Sequence, residues 1–110
     1  MSTPNPLQSR LGAAARFAST HGTAPVNKPR LLLVDDEERI LRSLAMLFRT
    51  QYELRMTTDA HEALRIVEQE QIHVIVSDQK MPIMRGADLL KQVKERSPHT
   101  MRLLLTGYSE

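Results

Sequence analysis

From Leu31 onward the chain alternates between two hydrophobic rhythms. Unbroken apolar runs at Leu31 to Val34, Val74 to Val76 and Leu103 to Leu105 alternate with stretches whose apolar residues fall three or four apart. A short unbroken run bounded by charge reads as a strand buried on both faces, the environment of a parallel sheet. The spaced stretches read as amphipathic helices. Each apolar run closes on polar groups of its own: Asp35-Asp36, Ser77-Asp78 and Thr106-Gly107.

After the first strand, Glu37 to Arg49 has helical periodicity, with Ile40, Leu41, Leu44, Leu47 and Phe48 on its apolar face and Arg39, Arg42 and Ser43 pointing away. Asp36 precedes this helix, so its carboxylate has two jobs open to it, capping the helix or serving a site at the strand end. Tyr52 to Thr57 reads as a second strand, polar at alternate positions as suits a sheet edge. Thr58 or Asp59 caps a helix over Ala60 to Gln69, with Ala63, Leu64 and Val67 facing inward. A third strand runs from about His73 to Ser77. Asp78 to Gly86 is then a loop, because Pro82 keeps Met81 extended and Gly86 relaxes the backbone. Ala87 to Arg96 is a helix burying Leu89, Leu90 and Val93, broken by Ser97-Pro98-His99. Met101 to Thr106 is the fourth strand.

Strands alternating with helices predict a doubly wound α/β domain with a parallel sheet and right-handed crossovers. Ligands of such sheets sit outside the carboxyl ends of the strands, where the strand order reverses. The three polar run-ends therefore belong to one site. The pattern stops at Glu110 after four strands and three helices, where a helix, a strand and another helix are expected to follow. Apolar surface on strand four and its flanking helices is expected to stand exposed until further chain or a partner covers it.

Composition narrows the chemistry. The 110 residues contain no cysteine and no tryptophan, which removes any disulfide framework or thiolate metal site. No apolar stretch approaches the roughly 20 residues of a membrane span. The net charge of +2 conceals two opposite parts. Residues 1–30 contain Arg10, Arg16, Lys28 and Arg30 and no acid, a charge of +4. Residues 31–110 contain 11 Lys or Arg and 13 Asp or Glu, a charge of −2. The basic excess that elsewhere signals nucleic acid thus belongs to a flexible N-terminal extension. Leu7, Leu11, Ala14, Ala15 and Ala18 line one side of a short helix there, and Ser19 to Pro29 reads as linker.

Asp35, Asp36 and Asp78 converge at the ends of neighbouring strands. Carboxylates held together repel, so the cluster calls for a cation. An oxygen-only donor set without a nearby histidine suits Mg²⁺. A carboxylate beside such an ion can attack a phosphoryl group and form an aspartyl phosphate. Asp78 is the expected nucleophile, as the first residue after a wholly apolar strand. Asp35 and Asp36 would hold the metal with it, and the backbone carbonyl of Lys80 would supply a further oxygen. Thr106 offers a hydroxyl to a phosphoryl oxygen, and Gly107 leaves room beside it. An aspartyl phosphohydrolase would place its nucleophile in strand one with an acid two residues on; here the acids are adjacent.

These motifs resemble the receiver domain of two-component response regulators. Val34-Asp35-Asp36-Glu37 matches the acidic end of the family's first strand. Asp78-Gln79-Lys80-Met81-Pro82-Ile83-Met84-Arg85-Gly86 matches its phosphoacceptor pattern, and Thr106-Gly107 closes strand four. The motifs stand 42 and 28 residues apart in the family's order. The resemblance covers residues 31–110, about two-thirds of a receiver, and implies the flavodoxin-like order 2-1-3-4-5, here ending after strand four. It implies Mg²⁺-dependent transfer of a phosphoryl group from a histidine kinase or phosphotransfer protein to Asp78. Self-phosphorylation and autodephosphorylation, rather than metabolic catalysis, would then control a homodimer, an output domain or a partner. It further implies a cytoplasmic protein that touches nucleic acid only through an output domain elsewhere. The family's strand-five lysine lies outside the 110 residues, and a phosphorylation-independent interaction module on the same fold is the alternative. Ser77-Asp78-Gln79 and Leu104-Leu105-Thr106-Gly107-Tyr108 are similar to receivers of hydrogenase-type transcription activators and of cyclic-di-GMP phosphodiesterases.

Overall fold

In the computed structural model, which describes residues 28–106, strands and helices follow one another in the expected order. β1 (Arg30–Val34), β2 (Glu53–Thr57), β3 (Val74–Asp78) and β4 (Met101–Leu105) are joined by α1 (Glu38–Phe48), α2 (Ala60–Gln69) and α3 (Gly86–Arg96). The four strands form one parallel sheet in the order β2-β1-β3-β4. The helix proposed near the N-terminus, and the role given to Gly107, fall outside the described residues.

Pleating divides the apolar runs between two cores, because successive strand residues face opposite ways. Leu32 and Val34 of β1 and Ile75 of β3 pack with Ala63, Leu64 and Val67 of α2 and Leu89 and Val93 of α3. Leu31, Leu33, Val74 and Val76 point through the other face, against Leu41 of α1 and Tyr52. Covering on both sides explains why β1 and β3 carry no alternation. β2 does alternate in polarity, and it lies at the sheet edge as expected.

Helix α1 departs from its expected face. Of the five apolar residues assigned inward, Leu41 alone is buried, Leu44 and Phe48 are half-buried, and Ile40 and Leu47 are 39% and 68% exposed. Leu41, Leu44 and Phe48 form one stripe against the sheet, whereas Ile40 and Leu47 lie beyond Leu44, about 100° and 120° round the helix from Leu41. Five positions over so wide an arc cannot all meet one flat surface. Leu90 of α3 is likewise half-buried rather than buried. On β4, Leu103 and Leu105 stand exposed, as anticipated for the fourth strand.

Two boundaries shift in ways that matter for the site. β3 runs one residue further than expected, so Asp78 is its last residue and not the first of the loop. α3 begins at Gly86 rather than Ala87. At the opposite end of the sheet, Arg55 bridges Glu53 at 3.1 Å and Glu70 at 2.8 Å, and the Arg30 N–H donates to His73 Nδ1 at 2.9 Å. These contacts fix the foot of the sheet and leave its carboxyl ends to the site.

Candidate functional site: an acidic cluster at the strand ends

The parallel pairing of β1 with β3 places Val34 opposite Ser77. Asp35 and Asp36 therefore leave β1 beside Asp78 at the end of β3. One carboxylate oxygen from each of Asp35, Asp36 and Asp78 lies within 4.8 Å of the others. Among the described residues this is the only group of three or more potential metal-ligating His, Cys, Asp or Glu side chains. Asp35 is buried, Asp78 half-buried and Asp36 exposed, so the cluster opens to solvent on the Asp36 side.

Asp35 is held from both ends. Its N–H donates to the Thr57 carbonyl at 3.3 Å, and its Oδ1 accepts from the Glu37 N–H at 2.9 Å. Burial pushes its carboxyl above the ordinary range. The Glu37 N–H opposes that rise in part, while the negative charges of Asp78, Asp36 and Glu37 add to it. A carboxylate so placed gains when a cation arrives.

Of the two jobs open to Asp36, capping α1 is not the one it takes. Glu37 occupies the cap position without a side-chain hydrogen bond. It is Asp35 that reaches the loop amide, two residues on, in a local turn. Asp36 is thereby left to the cluster. At α2 the choice between Thr58 and Asp59 falls to Asp59, whose Oδ1 accepts from the N–H of His61 and Glu62.

The backbone of Asp78 is fixed by its neighbours. It pairs with Leu105 of β4, and the buried Ser77 Oγ donates to its carbonyl at 2.9 Å. Thr106 follows Leu105 directly, so the register brings it to the strand end beside Asp78, where it is exposed. Lys80 is exposed in the loop two residues beyond Asp78. Sequence reasoning missed Gln79, which ties the loop to α3, and misread Gly86. No described glycine has a positive φ, so Gly86 relaxes no turn; it sits buried against the Asp78 carbonyl. The signal available for Gln79 was the absence of a capping side chain at Arg85.

An open cleft of about 330 Å³ lies to one side, lined by Glu38, Leu41, Arg42, Met56 and Glu62 among others. None of the three clustered aspartates lines it, so the cleft and the site are separate places. No helix among the described residues is long and apolar enough to cross a membrane.

Comparison with known proteins places this geometry. The family described as response regulator receiver domain matches residues 31–110. The hydrogenase transcriptional regulatory protein HoxA of Bradyrhizobium diazoefficiens is 38% identical over 80 residues, covering 73% of this chain and 16% of that one. The HoxA of Cupriavidus necator is 32% identical over the same length, 73% of this chain and 17% of that protein. Among solved structures, the signal receiver domain of an HD domain-containing protein from Pseudomonas fluorescens Pf-5 superposes with a TM-score of 0.71 at 34% identity, covering 76% of this chain and 68% of that one. A CheY-like receiver domain from Methanospirillum hungatei gives the same TM-score and coverage at 30% identity. The chain thus spans about a sixth of the curated relatives' length. With the strand order, the acidic cluster and these matches in agreement, the chain belongs to the response regulator receiver domain family, the phosphoaccepting switch modules of two-component signalling.

Proposed function

We propose that this chain accepts a phosphoryl group on Asp78, with Mg²⁺ held by Asp35, Asp36, Asp78 and the backbone carbonyl of Lys80. The observation that carries the reading is the convergence of three carboxylate oxygens within 4.8 Å at the ends of β1 and β3. The donor set fits the ion: three convergent carboxylates, open to solvent on the Asp36 side, offer the hard oxygen ligands that Mg²⁺ would take together with water. When bound, the ion offsets the charge of the carboxylates and of the phosphoryl oxygens.

The protein's own residues do the remainder. A side-chain oxygen of Asp78 forms a bond to phosphorus as the bond from phosphorus to the donor's imidazole nitrogen breaks, and the released imidazole takes a proton from water. Ser77, through the Asp78 carbonyl, and the β4 pairing hold the nucleophile in place. The Thr106 hydroxyl donates to a phosphoryl oxygen. Hydrolysis by water regenerates the carboxylate and releases phosphate. Phosphorylation replaces the single carboxylate charge of Asp78 with the roughly two charges of an acyl phosphate and adds strong acceptor oxygens, which shifts the population between two conformations.

The donor in this reading is a sensor histidine kinase or phosphotransfer protein, and the site works in the cytoplasm. Relatives named as transcriptional regulators support a regulatory output carried by an output domain or partner. Residues 1–30 act as an extension to the switch, residues 31–110. Homodimerisation, with or without strand exchange, belongs to the same reading.

The test is the intact mass of the 110-residue chain after incubation with a small-molecule phosphodonor, with and without Mg²⁺, beside Asp78→Asn. A Mg²⁺-dependent phosphoryl adduct that disappears in the variant is the expected result. A chain shown to be folded that takes up no phosphoryl group would replace this reading with a phosphorylation-independent interaction module.

A further inference from the structure

Gln79, the residue after Asp78, makes hydrogen bonds in three directions. Its N–H donates to the Leu105 carbonyl at 3.2 Å, extending the β3–β4 pairing to the residue before Thr106. Its carbonyl accepts from the Gly86 N–H at 3.0 Å. Its side-chain Oε1 accepts from the Ala87 N–H at 2.8 Å. The last two close residues 79–86 into a ring seated on the first turn of α3. That turn needs outside acceptors, because the cap residue Arg85 makes no side-chain hydrogen bond and a helix start leaves four N–H groups unpaired. Lys80 lies inside the ring so formed.

We infer that Gln79 is a positioning residue for the acidic cluster: its side-chain amide ties α3 to the end of β3 and so sets where the Lys80 carbonyl stands relative to Asp35, Asp36 and Asp78. The inference rests on the reading of that cluster as a Mg²⁺-assisted phosphoacceptor. Two of the three hydrogen bonds use backbone groups and survive any substitution except proline. The third depends on the side chain alone. Removing it loosens the tie between the loop and α3 without touching a carboxylate.

The test uses the full chain in three forms: parent, Gln79→Met and the double variant Gln79→Met with Arg85→Ser. Methionine keeps the length and removes the acceptor. Serine at position 85 gives α3 a local cap but leaves the loop untied. Each form is titrated with Mg²⁺ by calorimetry at a temperature where it is fully folded, and amide exchange at Ala87 is followed without metal. Groups that orient metal ligands are worth about 10- to 100-fold in affinity, and the lower end is expected here, about tenfold weaker binding in both variants. Exchange at Ala87 should quicken in Gln79→Met and slow again in the double variant. Parent-like Mg²⁺ affinity in either variant overturns the inference, since Gln79 would then act only on helix stability. If the parent binds Mg²⁺ but never accepts a phosphoryl group, the functional reading falls and the Gln79 inference is judged on the titration alone. A parent that binds no Mg²⁺ overturns both.

Discussion

Gly86 packs so closely beneath Asp78 that a methyl group at its Cα would stand 2.2 Å from the Asp78 carbonyl oxygen and 2.7 Å from Leu104 Cδ1. The obstacle on one side is backbone, which cannot rotate away. Gly86→Ala must therefore push α3 off the end of β3. Such overpacking costs about 1–3 kcal/mol. Each kcal/mol lowers the melting temperature of a domain this size by about 4–8 °C. Urea denaturation measures the loss directly, and a variant as stable as the parent would contradict the close approach.

Asp35 titrates in a direction set by its burial. Its folded pKa is raised above the ordinary value of 3.8, so the native state binds a proton more readily than the unfolded chain does. The charged form costs stability at neutral pH. That cost is relieved as pH falls through the raised value and is gone once pH drops below about 3.8. Asp35→Asn keeps an oxygen for the Glu37 N–H and removes the charge. It should stabilise the metal-free chain at pH 7. The same variant should lose most of its Mg²⁺ affinity, which reverses the order of stabilities when the metal is added. Melting curves at pH 4 and pH 7, with and without Mg²⁺, test both halves.

The two acids beside helix starts have different work to do. Asp59 accepts N–H bonds from His61 and Glu62, so Asp59→Ala should cost about 1 kcal/mol, within the usual 0.5–2 for a lost cap. Asp36 accepts none in α1, where Glu37 holds the cap position. Asp36→Ala should change the stability of the metal-free chain by under about 0.5 kcal/mol, as surface substitutions usually do. Its effect should show instead as weakened cation binding. Equal destabilisation by the two substitutions would restore a capping role for Asp36.

Leu41 and Leu47 separate the two sides of α1. Leu41 is 5% exposed, against the Leu31 and Leu33 side of the sheet, while Leu47 is 68% exposed. Leu41→Ala should cost about 2–5 kcal/mol, the range for buried leucine truncations. Leu47→Gln, at an exposed helix position and with a good helix former, should stay within about 0.5 kcal/mol. Chemical denaturation of the two variants under one set of conditions checks the difference.

The sequence by itself determined the order of elements, the parallel sheet and the three aspartates of the site. These follow from local rules: unbroken apolar runs need cover on both faces, and a run-end acid lies at a strand end whatever the helices do. Helix faces and capping were decided only by the tertiary structure. Whether Ile40 and Leu47 are buried depends on how α1 is rotated against Leu31 and Leu33, which periodicity over a wide apolar arc leaves open. Asp36 and Asp35 both stood before α1, and only the path of the backbone between β1 and Thr57 selected Asp35 for the Glu37 amide. The roles of Gly86 and Gln79 arise from the docking of α3 onto the end of β3. That contact joins residues seven or more apart, and no local pattern encodes it.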